Sequence, residues 1–126
     1  MKTLATLEDL TNCLREIQRI NSAASVLSWD QETHMPAGGG PARAEQIATI
    51  QGIAHRQFVS EETEGLLGAA VDLATGHPLD RDGELWDESA QSLLREVWRD
   101  FSRAKKLPSD FVVNLSRECS LAQQVW

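Results

Sequence analysis

Three histidines, two cysteines and a mixed polar stretch from Trp29 to Gln46 are the residues of this 126-residue chain with the most chemistry to offer. A hydrolytic zinc centre of the HExxH kind uses two imidazoles one helical turn apart, so that both reach one ion, and an adjacent glutamate that takes a proton from the bound water. The chain contains no such motif. His34, His55 and His77 are preceded three positions back by Gln31, Gly52 and Ala74, so the Glu-x-x-His pairing of di-iron helical bundles is missing as well. Gly38-Gly39-Gly40 has neither a strand before it nor a Lys-Ser/Thr pair after it, and Arg43 stands where a dinucleotide fingerprint ends in glycine. That run is a turn, not a phosphate cradle. Asp80-Arg81-Asp82-Gly83 suggests a calcium loop, but setting Gly83 on the EF-hand turn glycine puts the first ligand position on Pro78 and the last on Ser89. No serine or cysteine lies in a recognisable nucleophile context, and Cys13 and Cys119, far apart and without a CxxC, read as reduced thiols.

What remains is the stretch Trp29-Asp30-Gln31-Glu32-Thr33-His34-Met35-Pro36, followed by Ala37-Gly38-Gly39-Gly40-Pro41-Ala42-Arg43-Ala44. Proline and three glycines forbid a continuous helix between the amphipathic patterns on either side, so the chain turns back here as a helical hairpin. Asp30 and Arg43 then stand on opposite arms and are expected to bridge the turn, with Trp29 packed beneath as a core anchor and Met35-Pro36 setting the turn geometry. The competing reading has Asp30, Gln31 or Arg43 facing a cleft, where they orient a substrate or a closure.

The elements that position these residues follow from apolar spacing. Leu4, Leu7, Leu10, Leu14, Ile17, Ala24 and Leu27 recur at steps of three and four, which predicts a helix over about 3–33. Ile47, Ile50, Ala54 and Phe58, after Pro41 in a first turn, predict a second over about 40–58. Ser60 reads as the N-cap of a third helix whose first turn carries Glu61, Glu62 and Glu64, with Leu66, Leu67, Ala70, Val71 and Ala74 inside and Gly76-His77-Pro78 as its stop. Residues 79–84 form a polar connection. A fourth helix carries Trp86, Ala90, Leu93, Leu94, Val97, Trp98 and Phe101 and stops near Lys106, before Pro108. A fifth, opened by Pro108, is expected to turn Phe111 or Val112, Leu115, Cys119, Ala122 and Trp126 inward. It carries no stop signal before Val125-Trp126, as in a chain that has been cut. The expectation is an all-α fold: about five helices in an antiparallel array, within a single helical domain over residues 1–126.

Composition narrows the partners. With 41% hydrophobic and 25% charged positions, the chain can build a core, and 12 Lys+Arg against 19 Asp+Glu give a net charge of −7. That balance opposes attraction to nucleic-acid phosphates and anionic lipid. No apolar run approaches the roughly 20 residues that span a bilayer, and the acidic start leaves no room for a signal-peptide core, so a cytoplasmic location is expected.

The hinge stretch also resembles a known signature. The M32 peptidases, the metallocarboxypeptidases related to Taq carboxypeptidase, carry WDQ-x-T-x-MP-x-GG-x-x-x-RA-x-Q near their start. Here Trp29, Asp30, Gln31, Thr33, Met35, Pro36, Gly38, Gly39, Arg43, Ala44 and Gln46 match it position by position. His34 stands where tyrosine is common. The likeness extends to Leu27, to Ile47 through His55, and to Lys106-Leu107-Pro108 and Ser120-Leu121-Ala122-Gln123-Gln124. The resemblance implies a much longer enzyme in which a divalent metal, zinc or cobalt, activates water to remove single amino acids from peptide carboxy termini. It places the HExxH helix downstream of this segment and makes the segment a helical lid over the substrate cleft, inactive alone. The implied partners are the remainder of the peptidase chain and, through it, peptide substrates. A lid without its floor exposes what it would bury, so self-association is expected. A freestanding helical interaction module derived from the same family is the alternative.

Overall fold

The computed structural model describes residues 2–79, 86–123 and 125, with side chains from residue 7 onward. Among the described residues there are five helices: α1 (Lys2–Thr33), α2 (Gly40–Phe58), α3 (Glu61–Gly68), α4 (Glu88–Lys105) and α5 (Ser109–Gln123). No strand forms among the described residues, where an isolated bridge joins Val71 and Pro78. The fold is all-α, as expected. Leu4, Gln124 and Trp126 and the Asp80–Gly83 loop lie outside what is described.

Asn21 and Ser22 leave α1 unbroken, and its buried positions are Leu10, Ile17 and Ala24, spaced by seven. Sevenfold spacing keeps one narrow seam in register along a long helix. The seam continues to Gln31. Trp29, two residues earlier, lies about 200° around the helix from it, and at 60% exposure it is not the core anchor expected of it.

The chain divides into two compact units. The first comprises Met1–Arg15 and Phe58–Lys106. Its core gathers Leu10, Leu67, Ala70, Val71, Trp86, Leu94, Val97 and Phe101, and Phe58 meets Phe101 edge-on at 5.9 Å. Ser60 caps α3 as expected, its hydroxyl accepting from the Thr63 amide. The helix, however, ends at Gly68, eight residues before the Gly76 stop assigned to it, and Ala74 is exposed. The reason is local. Asp72 Oδ1 accepts from the Ala74 amide at 2.9 Å and the Asp72 carbonyl accepts from Gly76 at 2.7 Å, a turn that competes with helix. Trp86 lies outside α4, donating its indole N–H to the Leu79 carbonyl at 2.9 Å, and Asp87 caps the helix by accepting from the Ala90 amide.

The second unit comprises Glu16–Gln57 and Leu107–Trp126. Here Ile17, Ala24, Ala44, Ile47, Ala48 and Ala54 are buried. His55 pairs with Ser109 while Arg117 reaches Glu45, so α2 and α5 run in opposite directions. Their approach is close: a Cβ added at Gly52 would lie 2.5 Å from Val113 Cγ2. This reverses the face assigned to α5. Phe111, Leu115, Cys119 and Ala122 are exposed, and the buried residue is Ser120. Glycine at position 52 admits Val113 of α5 close to the α2 backbone.

Candidate functional site

The α1–α2 turn brings the hinge residues together. After Thr33 the chain leaves the helix, and the Asp30 carbonyl accepts from both His34 and Met35 at 2.9 Å. Gly39 donates to the Pro36 carbonyl at 2.9 Å and its own carbonyl accepts from Arg43, which launches α2. A Cβ on Gly39 would stand 3.2 Å from Met35 Cγ, so the methionine stem packs against the turn and glycine keeps it room. Gly38 meets nothing within 4 Å, so space does not explain glycine there.

Arg43 ties the two arms. Its Nη1 donates to Asp30 Oδ2 at 2.7 Å and to the Leu27 carbonyl at 3.2 Å, while Nε donates to Gln46 Oε1 at 3.1 Å. The expected Asp30–Arg43 bridge is therefore present, with the two side chains 34% and 18% exposed. Carbonyl, carboxylate and amide together satisfy the guanidinium fork and fix its orientation. Replacing Arg43 by Ala is expected to lower stability by about 1–2 kcal/mol, because it leaves the Asp30 carboxylate without its donor and removes the bond to the Leu27 carbonyl. Chemical denaturation of wild type and variant checks this, and an unchanged midpoint would separate Arg43 from any role in holding the hairpin.

Gln31 is tied to α5. Its Nε2 donates to the Ser120 carbonyl at 3.2 Å, and its Oε1 accepts from the Ser120 hydroxyl at 2.9 Å. Sequence reasoning grouped Ser120 with a family-like segment but gave it no partner. Reciprocal pairing of two polar residues leaves no mark in hydrophobic periodicity, and nothing in the spacing joins positions 31 and 120.

Trp29, Thr33 and His34 face outward. The Thr33 hydroxyl donates to the Trp29 carbonyl at 2.8 Å, His34 Nδ1 lies 2.9 Å from Thr33 Oγ1, and the indole and imidazole are tilted together at 5.5 Å. Gln31, Glu32, Met35, Ala37 and Gln123 line a concavity of about 500 Å³ beside this pair. A second, of about 290 Å³, opens between Ser28, Gln31, Gln51, Ser116 and Cys119.

A metal is implied by the sequence signature, so the donor set matters. His34 is engaged with Thr33 and His55 with Ser109. Among the described residues no three His, Cys, Asp or Glu side chains converge as an ion would require.

Fold and site thus define a helical hairpin whose charged and amide side chains at the turn bind mainly one another. The family model of the carboxypeptidase Taq (M32) metallopeptidases matches residues 9–126. The chain belongs to this family. It is 28% identical over 122 residues to thermostable carboxypeptidase 1 of Thermus thermophilus and 26% identical over 121 residues to thermostable carboxypeptidase 1 of Pyrococcus furiosus. These matches cover 97% and 96% of this chain but 22% of each relative, so the chain spans about a fifth of their length. No solved structure matches at comparable significance. No helix among the described residues is long and apolar enough to cross a membrane.

Proposed function

We propose that this chain is the amino-terminal helical part of a metal-dependent carboxypeptidase that removes C-terminal amino acids from peptides. In this reading residues 1–126 act as one lid-like segment over the substrate cleft of a cytoplasmic enzyme. Zinc or cobalt is held by residues of the longer chain. The observation that carries the reading is the family match over residues 9–126, set against relatives of which the chain covers 22%. The hinge residues then serve the lid in two ways. Asp30, Gln31, Arg43 and Gln46 hold the arms, and Trp29, Thr33 and His34 are left exposed where a cleft or another part of the enzyme can meet them.

Activity tests the assignment. The 126-residue chain is expected to release no amino acid from a peptide carboxy terminus with or without added zinc or cobalt. The longer product of the native gene is expected to do so, to lose activity to a chelator and to regain it with either metal. Release by the short chain alone would overturn the placement of the metal elsewhere.

The remainder of the peptidase chain is the proposed occupant of the outward apolar surface of the second unit. Val26 and Trp29 on α1 and Phe111 and Leu115 on α5 are between 49% and 63% exposed. Large apolar side chains left in water drive association. The isolated chain is expected to self-associate at high concentration, as sedimentation velocity would show. A strictly monomeric chain with little binding of an apolar dye would contradict this. The net charge of −7 disfavours nucleic acid and anionic membrane as partners.

A further inference from the structure

We propose that the first unit carries a binding site for a small oxyanion, phosphate or carboxylate, formed by Arg95, Arg99 and His77 beside Trp98. It goes beyond the peptidase reading and does not depend on it. The site is a concavity of about 170 Å³ lined by Thr75, Gly76, His77, Arg95, Trp98 and Arg99. Its two arginines lie four residues apart on α4 and so project from one face of the helix. Like charges at this spacing repel. The ion pairs found among the described residues use Arg43, Lys105 and Arg117, and neither Arg95 nor Arg99 joins one. Two guanidinium groups on one helix face, outside the ion pairs found among the described residues, in a chain of net charge −7, form a local exception to its electrostatics. Such an exception is expected where an anion is to be held.

The opposite wall is built to stay in place. Trp98 donates its indole N–H to the Leu73 carbonyl at 2.8 Å, and the turn from Asp72 to Gly76 closes on itself through hydrogen bonds at the Asp72 carbonyl and carboxylate. Gly76 has φ 79, and a Cβ there would lie 2.4 Å from the Trp98 ring, so the backbone is pressed flat against the indole. That contact sets His77, which is exposed, beside the two arginines. Guanidinium forks bind paired oxygens bidentately, which suits both carboxylate and phosphate. The volume admits inorganic phosphate or a short carboxylate.

Nitrogen-15 correlation spectra of the full 126-residue chain, titrated with sodium phosphate and separately with sodium acetate, test the proposal. Sodium chloride at matched ionic strength is the reference, and the Trp98 indole signal is assigned with Trp98→Phe. Saturable shifts at the Trp98 indole and the Gly76 and His77 amides are expected with at least one oxyanion and not with chloride. The arm that saturates at lower concentration identifies phosphate or carboxylate as the preferred chemistry. In Arg95→Gln/Arg99→Gln, whose changes fall on exposed positions, binding is expected to weaken at least about tenfold with the far-UV circular dichroism unchanged. Equal shifts with chloride, or undiminished saturation in the double variant, would overturn the site. So would linear shifts with both oxyanions, and that result is readable from wild type alone.

Discussion

Leu94→Ala is expected to destabilise the first unit by about 3–4 kcal/mol. Leu94 is 0% exposed and packs among Leu10, Leu67, Val97 and Phe101, the last of these fixed edge-on against Phe58. Three elements converge on it, α1, α3 and α4, so no one of them can move into the vacated volume without leaving the others. Such a cavity stays open and its cost is high. Its neighbour Leu93, 40% exposed, supplies the control: Leu93→Ala should cost under about 1 kcal/mol. Urea denaturation of both variants measures the difference. Equal losses would mean that the α4 face has been assigned wrongly.

Gly52→Val is expected to cost about 2–3 kcal/mol for the opposite reason, excess rather than missing volume. Any Cβ at position 52 falls 2.5 Å from Val113 Cγ2 and 3.4 Å from Arg56 Nη1. The arginine end can swing away, but the valine branches at its own Cβ and cannot. In a solvent-exposed helix interior, replacing glycine by a side chain would gain several tenths of a kcal/mol of propensity. A loss here therefore measures the closeness of α2 and α5 directly. Adding Val113→Ala should restore part of the stability, a coupling that a double-mutant cycle reads out. Strict additivity of the two changes would show that these helices do not meet at this point.

Helix starts and turns were legible in the sequence because each rests on residues of unusual backbone behaviour. Pro36 and the Gly38–Gly40 run place the hairpin turn, Ser60 places the start of α3, and Pro108 separates α4 from α5. Helix faces were less legible. The apolar stripe Phe111, Leu115, Cys119 and Ala122 suggested an inner face for α5, whereas the contact is made by Val113 and Ser120, with Gly52 and Gln31 opposite. Hydrophobic periodicity finds the greasiest face of a helix, and that face turns inward only if something in the structure covers it. Trp29 misled for the same reason: its size suggested burial, but the sevenfold seam of Leu10, Ile17 and Ala24 passes it by. The end of α3 was overextended because the Asp72 side chain takes the Ala74 amide, a local hydrogen bond that apolar spacing does not register.

The candidate site was half legible. Asp30 and Arg43 were expected to bridge, and they do at 2.7 Å. The partnership of Gln31 with Ser120, 89 residues away, needed the fold. The result is a hairpin end in which the most polar signature residues are satisfied internally while Trp29 and His34 remain outside.

The most direct test of the proposed function is the nucleotide sequence of the native locus past the codon for Trp126. The account predicts an open reading frame that continues into an HExxH helix with a further glutamate ligand downstream. A stop codon directly after Trp126 would contradict it, and would leave a helical protein of this family without the peptidase reaction.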